Sequence, residues 1–474
     1  AGAPEPPPSR ARGSEVVTAT LQFYNTLTRE KEPFVPLRAN HVGLYACGPT
    51  VYGPIHIGNA RPLIVFDVLY RVLKLRFQHV TYVRNITDVD DKIIEQAKAD
   101  GEPIQELTER TIEHFHRDLD QLRCLDPDVE PRATEHVPEM IRLIQTLLRQ
   151  GVAYEAEGHV LFHVPAMPTY GRLSRRERDD QIAGARVEVA PYKRDPADFV
   201  LWKPSEEGEP GWDSPFGFGR PGWHIECSAM SAQYLGVPFD IHAGGVDLIF
   251  PHHENEIAQS CCAHGAAELA RYWLHNGFVT VEGEKMAKSA GNFVTVDEAL
   301  TEVAGDVFRF WMLGAHYRQP LDYSASTLRQ ARAGLERLYR TLAELETVDA
   351  APSAPPPLEV IEGLADDLNT PRAIAGLHLL AGEANKATRE RDRARLKRQL
   401  LEGGRLLGLL DDSPRSWLQG GDGDTREIED LIAERDQARA ERDFRRADEI
   451  RDTLKARGII LEDGPQGTTW RREG

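Results

Sequence analysis

The chain has 474 residues, too many for one small binding module and enough for two to four structural units. Hydrophobic residues make up 41% and charged residues 28%, which excludes a mainly disordered or collagen-like chain. With 57 Lys and Arg against 75 Asp and Glu, the formal net charge of −18 excludes a broadly basic nucleic-acid coat, though not a local basic face that grips phosphate. Five cysteines, an odd number spread over a long chain, are not a disulfide framework and point to a reducing compartment. There is no run of about 18 apolar residues to span a bilayer. The opening AGAPEPPPSRARGSE has prolines where a signal peptide needs its apolar stretch. We expect a cytoplasmic enzyme, not tied to a membrane, with a disordered proline-rich arm over residues 1–16.

In chain order, residues 42–52 (VGLYACGPTVY) read as a strand that breaks at Gly53 and Pro54. A helix follows, with Asn59 as N-cap, Pro62 in the first turn, and Asp67, Arg71 and Lys74 sharing one polar face. A second strand, residues 79–86 (HVTYVRNI), ends in an acidic loop. Strand, helix, strand within about 50 residues is the mark of a parallel α/β sheet. From residue 95 to 220 long amphipathic helices such as LTERTIEHFHRDLDQL and a polar, proline-bearing segment, VEVAPYKRDPADFVLWKP, break this rhythm, and we read an insertion between two halves of the sheet domain. Sheet-like sequence resumes with FDIHAGG at Phe239 and runs to HNGFVTV at His275. Beyond the linker APSAPPP, heptad-like apolar spacing predicts helices, and GGDGD at residues 420–424 precedes a last unit of about 50 residues.

Three constellations carry chemistry. PIHIGN, Pro54 to Asn59, stands at the turn from the first strand into its helix, the carboxyl end of a strand in an open α/β sheet, where ligands bind. The free N–H groups of that helix end, with Gly58 letting the backbone come close, suit phosphate, and His56 adds a donor. KMAKS, with Lys285 and Lys288 ahead of Gly291 and Asn292, puts two point charges on a loop that can follow moving phosphates, although such a lysine pair taken alone is usually just solvated surface. Cys47, Cys227, His252 and Glu256 form a scattered set of metal-type donors, with His252 and Glu256 at i, i+4 if PHHENE is helical. Two thiolates, an imidazole and a carboxylate make a tetrahedral Zn²⁺ set, whereas two buried cysteines and a surface histidine give the same spacing with no metal. HHENE is not HExxH, so a zinc-protease reading lacks its second histidine.

Together these segments resemble the cysteinyl-tRNA synthetases of the bacterial type, a family of class I aminoacyl-tRNA synthetases. The resemblance runs from FYNTLTREK through CGPTVYGPIHIGNAR, YVRNITDVDDKI, PRATEH, DFVLWKPSEEGEP, RPGWHIECSAM and FPHHENEIAQS to LEDGPQGTTWRR. It implies a Rossmann-like parallel-sheet catalytic domain in two halves, residues 17–98 and 221–275, around a connective insertion at 99–220. A signature-loop and stem-contact region at 276–325, a helical anticodon-binding bundle at 326–419 and a small anticodon-recognition domain at 420–474 follow. It implies ATP-dependent ligation of L-cysteine to tRNA(Cys) through a cysteinyl adenylate, with Zn²⁺ on Cys47, Cys227, His252 and Glu256 selecting the substrate thiolate, Mg²⁺ accompanying ATP, and a monomeric enzyme.

By the same resemblance His56, Gly58, Asn59, Asp247, Lys285 and Lys288 serve ATP, with His56, Asn59 and the two lysines catalytic. Gly48, Thr87, Trp223 and His224 hold cysteine. Arg439, Phe444, Asp448 and Asp463 fall where family members read anticodon bases, on helices whose alternating charges also fit a plain solvated surface. The sequence departs from the family's signatures twice, with Asn59 for the last histidine of HIGH and Ala287 for the middle serine of KMSKS. Two alternatives remain open at this point: a related cysteine ligase acting on an amino sugar, as in mycothiol synthesis, and a catalytically silent paralogue that binds tRNA.

Overall fold

The computed structural model describes residues 19–177, 180, 190–286, 291–419, 425–464 and 467–472. The arm at 1–16, Ala287 to Ser289 of the signature loop, and the 420–424 linker lie outside the described residues.

A short antiparallel hairpin, β1 (Gln22–Asn25) and β2 (Glu30–Pro33), leads into β3 (His41–Ala46), α1 (Ile57–Arg76) and β4 (His79–Arg84). With β9 (Phe239–Gly245) and β10 (Ala270–Asn276) these build a four-stranded sheet in the order β10-β9-β3-β4, every neighbour parallel. The 3.6-residue pattern of α1 buries Ile64, Val68 and Val72 at or near zero exposure against the sheet. Between β4 and β9 the chain inserts α2 (Asp91–Asp100), α3 (Ile104–Gln121), α4 (Val137–Arg149) and an antiparallel sheet of β5 (Ala153–Ala156), β6 (His159–Phe162), β7 (Phe199–Pro204) and β8 (Gly219–Pro221). It then returns through α5 (Trp223–Leu235) to β9, and α6 (Glu254–His264) precedes β10.

Three local expectations need correction. The first strand stops at Ala46 rather than continuing to Tyr52, because residues 49–51 pair instead with Thr87 through the Thr87 N–H to Pro49 O and Val51 N–H to Thr87 O bonds, both 3.1 Å. The cap of α1 is His56, not Asn59: the His56 ring accepts from the Asn59 N–H, and the Asn59 side chain accepts in return from the His56 N–H, a reciprocal capping box. Helix α1 therefore starts three residues early, and Pro62 falls one turn deeper. Asp67 does not face water; it is 1% exposed and paired with Arg71 and the fully buried Arg309.

After β10 come β11 (Val279–Val281) and β12 (Glu284–Lys285), then α7 (Val296–Glu302), α8 (Gly305–Leu313) and β13 (Leu321–Tyr323), which pairs parallel to β11. The helical region predicted beyond residue 326 contains α9 (Ala325–Glu344), α10 (Leu358–Ala365), α11 (Thr370–Lys386), α12 (Glu390–Leu407) and α13 (Pro414–Gln419). The last unit is α14 (Thr425–Ala440), α15 (Phe444–Ala456) and the hairpin β14 (Ile459–Gly464) and β15 (Gly467–Arg472), around a small core of Ile428, Ile432, Ile450, Leu454, Ile459 and Trp470.

Candidate active site

The carboxyl ends of β3, β4 and β9, the first turn of α5 and the turn entering α6 converge on one point. Cys47 immediately follows β3. Cys227 is in the second turn of α5, its position set by α5 packing its buried face on the sheet. His252 lies not within α6 but in the kinked turn just before it, while Glu256 is in the first turn of α6, so the pair meets with His252 Nε2 3.1 Å from Glu256 Oε1. Cys47 Sγ stands 3.8 Å from Cys227 Sγ and 3.7 Å from Glu256 Oε1, and one donor atom from each of the four residues falls within 4.8 Å of the others. A Zn²⁺ ion with Zn–S bonds of about 2.3 Å in a tetrahedron needs an S···S edge of about 3.8 Å. The cluster meets that spacing, and its donor types are those a Zn²⁺ ion takes.

The charges on these groups are strongly biased by their surroundings. Burial acts to raise Glu256, but the facing His242 and His252 outweigh it and hold the carboxyl down at about 2. Burial likewise opposes the charged imidazole of His252, yet Glu256 and Cys227 push it up to about 10. The hydrogen bond from the Cys47 thiol brings Cys227 down to about 6, while burial and the neighbouring Cys227 push Cys47 up.

Around the four donors stands a second layer that sequence reasoning did not find. His242 Nε2 is 2.8 Å from the other oxygen of Glu256, with its ring stacked on Trp273. His253 Nε2 is 3.3 Å from Cys47 Sγ, and its Nδ1 continues to His275, whose other nitrogen meets the Thr26 hydroxyl at 2.7 Å. Cys47, His242, His253 and Glu256 thus form an alternative donor set within the same 4.8 Å span. Burial drives His253 and His275 well below the ordinary histidine range. The two signals available in sequence were the histidine doublet in PHHENE and the lone histidines late in FDIHAGG and RYWLHN, each individually indistinguishable from a core residue.

The residues expected to hold cysteine surround this cluster. The Gly48 N–H donates to Asn85 Oδ1 at 3.0 Å, and an added Cβ there would stand 1.6 Å from the Asn85 carbonyl oxygen, so only glycine fits. Thr87 is buried and its hydroxyl donates to Glu226 at 2.8 Å. Trp223, 39% exposed, lays its ring over His252 with 4.3 Å between centroids. His224 Nδ1 is 2.9 Å from His252 Nδ1. Burial and the neighbouring His252 drive His224 well below the ordinary range, and the contact between the two rings holds His252 with Nε2 toward Glu256.

The phosphate-type turn lies alongside. His56 packs edge-to-face on Phe293, and the backbone of Ile55 to Ile57 exchanges hydrogen bonds with Val294 and Val296. The start of α1 and the segment returning from the lysine loop are thereby laced together. Met286 reaches within 3.3 Å of where a Gly58 Cβ would be, and Lys285 sets its ammonium over the Phe278 ring. Lys288 lies outside the described residues. Asp247 is exposed just beyond β9, its carboxylate folded over Gly245.

The anticodon candidates lie in the last unit. Arg439 pairs with Asp463 at 3.0 Å on the rim of a cleft that also includes Thr468; Phe444 is 62% exposed at the start of α15, and Asp448 pairs with Arg451.

Comparison with known proteins gives this geometry its lineage. Residues 33–333 match the tRNA synthetases class I (C) catalytic domain, residues 359–411 the DALR domain, and residues 422–471 the cysteinyl-tRNA ligase anticodon binding domain. The cysteine–tRNA ligase of Rhodospirillum rubrum is 59% identical over 458 residues, covering 96% of this chain and 100% of its own. That of Paramagnetospirillum magneticum is 60% identical over 457 residues, covering 95% and 99%. Among solved structures, the Mycobacterium tuberculosis methionyl-tRNA synthetase in complex with methionyl-adenylate superposes with a TM-score of 0.56 at 19% identity, over 77% of this chain and 89% of that one. The leucyl enzyme of the Agrobacterium radiobacter K84 LeuRS-tRNA-LeuAMS complex gives 0.57 at 13%, over 80% and 87%. These two likenesses carry the class I fold alone. With a catalytic-domain model matched over more than half its length and relatives close to 60% identical across nearly all of it, the chain belongs to the cysteine–tRNA ligase family.

Proposed function

We propose that the chain ligates L-cysteine to tRNA(Cys) in two steps. The cysteine carboxylate attacks the α-phosphorus of ATP, forming cysteinyl adenylate and expelling pyrophosphate; a 2′-hydroxyl at the tRNA end then takes the acyl group and AMP leaves. The observation that carries the reading is the cluster of Cys47, Cys227, His252 and Glu256 within 4.8 Å, beside the phosphate-type turn of a chain in this family.

Those four residues would hold Zn²⁺. When bound, the ion supplies a soft Lewis acid that prefers a substrate thiolate to a hydroxyl and finds nothing on alanine. Apolar packing separates such near-isosteres by only about 1–3 kcal/mol, so a directional donor preference makes an editing site unnecessary. The remaining work belongs to the chain's own groups. Gly48 allows the substrate close approach, while Thr87, Trp223 and His224 close the pocket around it. His56, Gly58 and Asn59 present the N-terminal end of α1 to the phosphates, and Lys285 and Lys288 neutralise charge as pyrophosphate separates. Asp247 contacts the adenylate, and Mg²⁺ accompanies ATP. Positioning and charge neutralisation are sufficient for this phosphoryl chemistry.

Residues 326–419 and 420–474 bind the anticodon arm, with Arg439, Phe444, Asp448 and Asp463 facing the bases. The match of the last unit to an anticodon-binding model speaks for tRNA as acceptor rather than an amino sugar. Five unbridged cysteines fit work in the cytoplasm.

The test is cysteine-dependent ATP–pyrophosphate exchange with zinc content measured in parallel. Wild type should exchange with about one zinc per chain, and Cys227→Ala should lose the metal and at least about 100-fold in exchange while remaining folded. Undiminished exchange by a zinc-free Cys227→Ala variant would overturn the role given to the cluster.

A further inference from the structure

Away from the thiolate cluster, a second set of metal-type donors meets at the seam between α3 and α7. His114 and Asp118 stand four residues apart on one face of α3, and Asp297 is in the first turn of α7. His114 Nε2 is 2.5 Å from Asp297 Oδ2 and 3.7 Å from Asp118 Oδ1, and one donor atom from each of the three residues lies within 4.8 Å of the others. Asp118 is 1% exposed, yet neither of its carboxylate oxygens has a hydrogen-bond partner, and the His114 Nε2 contact with Asp297 also falls outside hydrogen-bond geometry. Burial, and next the facing Asp297 carboxylate, push the Asp118 carboxyl up to about 7, with the exposed Arg117 opposing weakly. A buried carboxyl group set against a second carboxylate, with no N–H or hydroxyl of the neighbouring residues hydrogen-bonded to either oxygen, is costly.

We propose that His114, Asp118 and Asp297 form a binding site for a divalent metal ion of the Mn²⁺ type, separate from the cysteine-selecting cluster. One imidazole and two carboxylates, without sulfur, are donors for such an ion rather than for a soft one. The site is open to solvent on one side, since the side chains of His114 and Asp297 are 22% and 49% exposed, which gives an entry path and room for water ligands. An ion here would neutralise the two facing carboxylates and tie α7 to α3. Helix α7 begins where the segment returning from the lysine loop is laced to the phosphate-type turn: Thr295 caps it and bridges to His56, and the Val296 N–H donates to Ile55 O at 3.0 Å. The ion therefore acts as a clamp on the anchored end of that loop, a positioning role outside the reacting atoms.

The experiment titrates Mn²⁺, followed by electron paramagnetic resonance without ATP, into the full-length zinc-loaded chain, with zinc content checked before and after. One Mn²⁺ per chain should bind with no loss of zinc, and Asp297→Asn and Asp118→Asn should each weaken it at least about tenfold. Asp297 is at the surface, so its variant tests the site even if Asp118→Asn fails to fold. Mn²⁺ should also raise the thermal midpoint of wild type and leave that of Asp297→Asn unmoved. Equal Mn²⁺ affinity in wild type and Asp297→Asn, Mn²⁺ bound only by displacing zinc, or no binding at millimolar Mn²⁺ would each overturn the proposal.

Discussion

A methyl group at position 48 would collide with the Asn85 carbonyl, and that single contact links β3, β4 and the cysteine pocket. Gly48→Ala should cost about 1–3 kcal/mol in chemical denaturation, as overpacked sites do, and raise the KM for cysteine more than that for ATP in pyrophosphate exchange. An equal effect on both substrates would mean that the glycine serves the fold alone. At this scale the sequence was informative where residue type restricts chemistry. Two cysteines, a histidine and a glutamate are so often ligands that they could be singled out before their donor atoms were seen together. His242 and His275 were not legible, because each sits alone on its own segment with the profile of a buried core residue and the parallel pairing of β9 and β10 puts their strands side by side, while His253 was hidden as the second histidine of the PHHENE doublet. Asn59 was read as a cap, and it is the third residue of the box that His56 caps, a difference of one turn that no local preference between Asn and His decides.

Among the elements, Arg309 of α8 ties together segments far apart in the chain. Its guanidinium is fully buried, pairs with Asp67 of α1, and donates to Leu407 O at 2.6 Å and Leu122 O at 3.0 Å, tying the ends of α12 and α3 to the helix that leaves the phosphate-type turn. Arg309→Met keeps the volume but takes the fully buried cation from Asp67, leaving it Arg71 as ionic partner, and should cost about 3–5 kcal/mol; a double-mutant cycle with Asp67→Leu would measure the part that belongs to the pair. The periodicity of α1 predicted a polar face at Asp67 because a charged side chain at helical spacing normally reads as solvent-facing; its buried partner is 242 residues away and invisible to a local pattern. A second pair gives a pH signature. Glu130 meets the buried Arg84 at 2.5 Å and His116 at 2.6 Å; burial acts to raise its carboxyl, but these partners outweigh it and hold it below the ordinary value. A lowered carboxylate contributes stability that is present above its unfolded pKa of about 4.3 and is lost as pH falls through the folded value. Glu130→Gln should therefore cost about 3 kcal/mol at pH 7, with the gap to wild type closing below about pH 4.

At the scale of the whole molecule, the order of the parts was legible because it is written in linkers and in switches between a period of two and a period of 3.6. The parallel sheet and the helices beyond residue 326 follow from that reading. The antiparallel sheet β5 to β8 inside the insertion did not, since its strands are three to six residues long and part of it was masked by the proline-bearing segment that ends in β7. The insertion's own core nevertheless runs into the catalytic one: Met140, Ile144, Phe162 and Leu201 share a buried cluster with Cys227 and Trp273, so packing in the insertion supports the wall of the site. Cavity-forming changes there, such as Ile144→Ala, should cost about 2–5 kcal/mol in denaturation and lower the stability of the metal-loaded chain without touching a donor atom. The most direct test of the central claim is acid-precipitable charging of total bacterial tRNA by the zinc-loaded chain with ATP and Mg²⁺, using labelled cysteine and, separately, labelled serine. The account predicts cysteine charging that Cys227→Ala abolishes and a preference over serine of at least about 10³, more than an apolar pocket supplies. Absence of cysteine charging by the folded, zinc-loaded chain, or comparable charging with serine, would contradict it.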